Sequence, residues 1–205
     1  IILDNQKIRI RTTVRRIYLK DLSKEEYLRE LKYCYTNSRW EFSFYAVLYM
    51  FLLQFRDEHN KLILCADYKS RGRRTSAKME RILKLCSVKL KGKNNQNLIG
   101  GIPDFQFVPS KYTYDKPCEA KVFVEFKSPN FSNGDLYIPL KYEITPEIEH
   151  EFENCDKIIF TDGISWYFLE KNKNKQESPF NLYEGDDNWE QLKTKIKHFI
   201  LGETD

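Results

Sequence analysis

Residues 122–127 read Val-Phe-Val-Glu-Phe-Lys, and this alternation constrains the fold more than any other stretch of the chain. Side chains of a strand point alternately to its two faces, so Val122, Val124 and Phe126 share one apolar face while Phe123, Glu125 and Lys127 share the other. Such a strand needs a core against its first face and a use for the charges on its second. Twenty residues further back stands Asp104, after Pro103 and at the start of another alternating segment. There Phe105 and Phe107 point one way and Asp104, Gln106 and Val108 the other. Pairing the two strands brings Asp104, Glu125 and Lys127 together. Two carboxylates suit a hard divalent cation such as Mg²⁺, and a neighbouring lysine can orient an attacking water or help remove its proton. That pattern serves phosphodiester hydrolysis. The competing explanation makes Asp104 a turn residue after proline and Glu125 with Lys127 an ion-pair set on a solvated face. Phe123 beside Glu125, on a strand whose other face is wholly apolar, fits a concave site better.

Pro103-Asp104, the spacer and Glu125-Phe126-Lys127 together resemble the pattern of the PD-(D/E)xK nucleases, the restriction-endonuclease-like superfamily. A third piece, Cys155-Asp-Lys-Ile-Ile-Phe-Thr-Asp-Gly-Ile-Ser-Trp-Tyr-Phe-Leu-Glu170, is similar to the strand pair that follows the core helix in relatives of restriction-enzyme subunits. The resemblance covers residues 75–170 by motif order. It implies an α/β fold with an αβββαβ core, a central mixed sheet flanked by helices, to which the N-terminal helices add an embellishment. It also implies Mg²⁺ or Mn²⁺ as cofactor, Asp104 and Glu125 as metal ligands, Lys127 as a catalytic group, and nucleic acid, with DNA expected, as substrate. A further acidic ligand usually comes from the helix preceding the sheet. Glu80, on the segment before the expected first strand, is favoured for it over Glu41, which is explained as the third residue of a capping box with Ser38. Many relatives with a comparable hairpin carry Gln-x-x-x-Tyr in the intervening helix, whereas residues 146–154 lack it and are acidic. A catalytically silent, nuclease-like binding or docking domain of a larger protein is therefore the alternative, and an unrelated protein-interaction module the third reading.

The segment order places one domain on residues 1–205. Residues 6–19 alternate apolar with basic or polar side chains, as a strand or hairpin does, and Ser23 with Glu26 opens a helix running to about Cys34. A longer apolar helix follows to about Arg56, then a short strand candidate at 61–66. Residues 1–74 thus hold an N-terminal strand and helices. The core, 75–170, takes a helix at 76–85, strands at 87–91, 102–108 and 120–127, a helix from 145 to about Asn154, and strands at 157–160 and 165–170. Residues 171–205 form a loop and an amphipathic helix from Asn188 to Leu201.

With 41% hydrophobic and 15% aromatic residues the chain can bury a sizeable core, but its net charge of +4 makes any nucleic-acid binding a matter of local clustering. Lys69, Arg71, Arg73 and Arg74 around Gly72 supply such a cluster, and Lys111, Lys121 and Lys141 would add to its field if they share the site face. Phe131 and Tyr137, in the loop after Lys127, are candidates for stacking on a base. Cys34, Cys65, Cys86, Cys118 and Cys155 are odd in number and form no C-x-x-C pair, which argues against a disulfide framework or structural zinc and for an intracellular, reducing compartment. No secretory signal or membrane span is legible, since the apolar run from Phe42 to Phe55 is too short for a bilayer. His59, His150 and His198 have no metal-like spacing, and Gly100-Gly101 lacks the lysine of a phosphate loop. A start at Ile1 rather than Met suggests attachment to a larger polypeptide, and double-strand cutting by one such site would call for a homodimer.

Overall fold

The first helix, α1 (Lys24–Asn37), begins where Ser23 and Glu26 bond to each other reciprocally: the Ser23 hydroxyl accepts from the Glu26 N–H and the Glu26 carboxylate accepts from the Ser23 N–H, both at 3.2 Å. Two N–H groups that the first turn leaves without a helical partner are satisfied this way. Ser38 caps the other end of α1, its N–H donating to the Cys34 carbonyl at 3.0 Å. The second helix, α2 (Glu41–Leu52), runs into a 3₁₀ turn at Leu53–Phe55. Its described part starts at Glu41, and residues 39–40, which the expected capping box from Ser38 to Glu41 spans, lie outside the described residues. The computed structural model describes residues 22–38, 41–65, 103–113, 119–132, 136–143, 145–171, 173 and 178–202.

Six strands form the central sheet: β1 (Asn60–Leu64), β2 (Phe105–Pro109), β3 (Val122–Phe126), β6 (Lys157–Thr161), β7 (Ser165–Glu170) and β8 (Phe180–Asn181). They lie side by side in that order, with β3 and β6 parallel and every other neighbour pair antiparallel. A parallel pair needs a crossover. Here it contains a separate two-stranded ribbon, β4 (Asn130–Ser132) with β5 (Leu136–Ile138), and the short helix α3 (Pro146–Phe152). Helix α4 (Asn188–Leu201) closes the described chain, with Gly202 in the left-handed region at its end.

Alternation along β2 and β3 sorts the core into two layers. Phe105, Phe107, Val122, Val124 and Phe126 pack with Tyr27 and Leu31 of α1, Phe44, Leu48 and Phe51 of α2, and Leu192 and Ile196 of α4. Phe123, Ile158, Phe160, Tyr167 and Leu169 pack on the opposite side with Ile148 of α3. The fold is therefore a mixed sheet flanked by helices. Each fully buried Phe or Leu contributes about 1.5–3 kcal/mol. Helices α1 and α2 supply the larger layer, so they belong to the core and are not an embellishment upon it.

Two expectations for the sheet change. Both edges of β2 are occupied, by β1 and by β3, so a strand at 87–91 is not β2's neighbour. The strand in that place is Asn60–Leu64, and the helix before it is α2. Residues 6–19, the helix expected at 76–85 and the strand at 87–91 lie outside the described residues.

The β6–β7 turn ties the sheet to α1. Gly163 has φ +86°, and its carbonyl accepts from the Tyr27 hydroxyl at 2.9 Å and the Trp166 indole at 3.1 Å. A Cβ there would meet Leu31 Cδ1 and the Tyr27 oxygen at 3.1 Å. Gly163→Ala is expected to cost about 2–3 kcal/mol through backbone strain and displacement of α1. Urea denaturation reads this as a lowered midpoint, and an unchanged midpoint would show that the turn does not lock α1.

Candidate functional site

The β2–β3 ladder ends with Phe105 opposite Val124, so Asp104, one residue before β2, lies at the same end of the sheet as Glu125. The Asp104 N–H donates to the Val124 carbonyl at 3.0 Å and holds the pair at the end of the ladder. Both acids are 1% exposed. Asp104 is fixed at both oxygens: Oδ1 accepts from the Tyr45 hydroxyl at 2.8 Å and Oδ2 from the Phe126 N–H at 2.7 Å. A carboxylate with one donor on each oxygen is oriented, and each oxygen keeps acceptor capacity.

Lys127, two residues beyond Glu125 on the same face, donates through Nζ to Glu125 Oε1 at 3.0 Å. Its backbone N–H donates to the Thr161 carbonyl at 2.9 Å, which holds the strand end against β6. The lysine side chain is 36% exposed and that of Glu125 only 2%, so the amine bridges a buried carboxylate and the surface. The structure thus brings Asp104, Glu125 and Lys127 to one end of the sheet.

Tyr45 belongs to the site as well, and its residue type alone did not reveal it. On an apolar helix it reads as core, and its ring does pack on Phe105 and Phe126 with centroids 5.5 and 5.9 Å away. Burial pushes its phenol well above the usual range, and the charges of Asp104, Glu41 and Glu125 push it further. It therefore remains a hydrogen-bond donor. Glu41, one turn before Tyr45 on α2, comes into this field. Glu80 lies outside the described residues. Among the described residues no group of three or more His, Cys, Asp or Glu is arranged to hold a metal ion.

Tyr45→Phe keeps the ring and deletes the bond to Asp104, leaving a buried carboxylate short of one donor. The expected loss is about 1–3 kcal/mol of stability. Equal unfolding midpoints for Tyr45→Phe and the parent would show that the bond to Asp104 is not needed.

Asp162, in the β6–β7 turn, is a second buried acid. Oδ1 accepts from the Ile164 and Ser165 N–H groups at 2.9 and 2.7 Å, and Oδ2 from the Tyr137 hydroxyl at 2.6 Å. Tyr137 in turn accepts from the Leu140 N–H and bonds the Ser165 hydroxyl. Burial raises the Asp162 carboxyl above its ordinary 3.8, against the opposing pull of these donors. The native state then holds the proton more tightly than the unfolded one. This group's contribution to stability is fully present below 3.8 and is lost as pH rises through the native value. Asp162→Asn is expected to flatten that part of the pH dependence of unfolding, and an unchanged slope would contradict it.

The ribbon does not present its aromatic rings as expected. Phe131 is 6% exposed and stacks against Tyr35 at 4.7 Å, while Tyr137 is tied to Asp162, so neither offers a free face to a base. Lys121 precedes β3 and donates to the His59 carbonyl at 3.4 Å, and Lys111 lies just beyond the end of β2. Both sit at the opposite end of the sheet from Glu125 and do not add to its field. The basic cluster of Lys69, Arg71, Arg73 and Arg74 lies outside the described residues. Cys34, Cys65 and Cys155 form no disulfide.

Compared with protein-family models, with curated proteins and with solved structures, the chain matches none.

Proposed function

We propose that the chain is a restriction-endonuclease-like nuclease that hydrolyses phosphodiester bonds of nucleic acid, with DNA the expected polymer. One observation carries the reading: two buried carboxylates, Asp104 and Glu125, at the same end of neighbouring strands, with Lys127 bonded to one of them. Like charges in that position repel, and a divalent cation between them turns the repulsion into attraction. The described order α2, β1, β2, β3, α3, β6, with β3 and β6 parallel, supports an αβββαβ core.

The donor set fits Mg²⁺ or Mn²⁺, because carboxylate oxygens are the hard ligands these ions select. Asp104 and Glu125 would hold the ion, which when bound supplies Lewis-acid polarisation of the phosphate. Tyr45 and the Phe126 N–H orient Asp104. Lys127 places a positive charge where negative charge grows on the attacked phosphate. Among the described residues no helix is long and apolar enough to cross a membrane.

The test is incubation of purified protein with single-stranded, double-stranded and branched DNA in Mg²⁺ or Mn²⁺. Failure to cut any of them overturns the reading. The burial of both acids favours one alternative, a docking domain in which Asp104 and Glu125 serve as a buried polar staple. Salt-dependent DNA binding without cleavage would select it.

A further inference from the structure

A cleft of about 380 Å³ lies far from the carboxylate pair, between the 3₁₀ turn that ends α2 and the middle of α4. Its wall includes Gln54, Arg56 and Asp57 from the first element and Lys193 and Lys197 from the second. Lys193 and Lys197 are one helical turn apart, so their side chains leave α4 on the same side. Arg56 approaches from a separate element. Three cations from two elements therefore line one concavity.

What these groups already do decides how much binding capacity is left. Lys193 is shared with Glu190 at 2.8 Å and lies 6.0 Å from the Trp189 ring. Asp57, the one acid in the wall, accepts from the His59 N–H at 2.7 Å. Among the described residues neither Arg56 nor Lys197 has an ion-pair partner. An arginine and a lysine from two elements around one small space match the oxygens of a tetrahedral dianion or diester.

We infer that this cleft is a phosphate-binding site in which Arg56 and Lys197 receive the phosphate oxygens. The phosphate is either that of a free phosphorylated molecule or one of a nucleic-acid backbone. The site does not depend on the proposed hydrolysis. Tyr45 and Arg56 are eleven residues apart along α2 and its 3₁₀ turn, roughly 16 Å at the helical rise, so the cleft is not part of the carboxylate pair.

The experiment titrates the whole chain, in buffer free of divalent cations, with inorganic phosphate and, separately, with a short single-stranded oligonucleotide, using the parent and Arg56→Gln/Lys197→Gln. If the source is a free phosphate group, inorganic phosphate binds the parent and at least about tenfold more weakly the double variant. If the source is a backbone, the oligonucleotide shows the loss, and its salt dependence flattens by about 1.4 slope units for two lost contacts to a single strand. Without divalent cations no hydrolysis runs, so either outcome is read independently of whether the chain cuts DNA. Parent protein that binds neither probe overturns the site, as does a folded double variant, with the parent's melting temperature, that binds both probes unchanged.

Discussion

Asp104→Asn and Glu125→Gln are each expected to reduce Mn²⁺ affinity by at least about 100-fold while the circular dichroism spectrum stays that of the parent. The size follows from the role. Removing a residue that only supports a ligand commonly costs 10- to 100-fold in metal affinity, and removing a ligand's own charge costs more. Both substitutions keep volume and shape, so cavity formation does not enter. At Asp104 the exchange has a price in hydrogen bonds: the Tyr45 hydroxyl and the Phe126 N–H both donate to the carboxylate, and an amide offers only one oxygen. The mismatch is expected to cost about 1–3 kcal/mol, offset by relief of the repulsion with Glu125. Calorimetric titration with Mn²⁺ reads the affinity and urea denaturation reads the fold. Unchanged affinity in either variant would remove that residue from the site, and in both variants would remove the metal.

How much of this was legible in the sequence depended on whether an interaction was local. The alternation at 122–127 specified both faces of β3, because a period of two needs no knowledge of the partner. Asp104 and Glu125 come to the same end of the sheet through the pairing of β2 with β3. Helix α4 was placed at Asn188–Leu201, as the amphipathic pattern indicated. The neighbour of β2 was not legible. Five residues, Asn60–Leu64, take that position through pairing across forty residues of chain, and nothing in their own pattern states it. Tyr45 has a local signal that could have found it: it lies one helical turn from Glu41 on an otherwise mostly apolar helix. The coupling of Tyr137 to Asp162 had no such signal, since the two are 25 residues apart.

Lys127→Met separates chemistry from binding, and it is expected to lower kcat by about 100- to 1000-fold with KM and Mn²⁺ affinity near those of the parent. The lysine bonds Glu125 from a partly exposed position, so its ammonium lies beside the carboxylate that would hold the ion yet reaches the surface from which a phosphate approaches. Charge placed there stabilises the transition state more than the ground state, because the phosphate gains negative charge as it is attacked. Methionine retains the stem that packs along the strand and loses only the charge. Some stability goes with it, since Glu125 keeps its burial and loses this partner, but the pair is open to solvent at the lysine end and its contribution is small. A fall in kcat with unchanged Mn²⁺ affinity therefore assigns Lys127 to the chemistry. A fall in metal affinity of the same size would instead make the lysine a positioning residue for Glu125. A Lys127→Met protein that cuts at the parent's rate would show that the ammonium serves only the buried acid, and that any nuclease chemistry here runs without it.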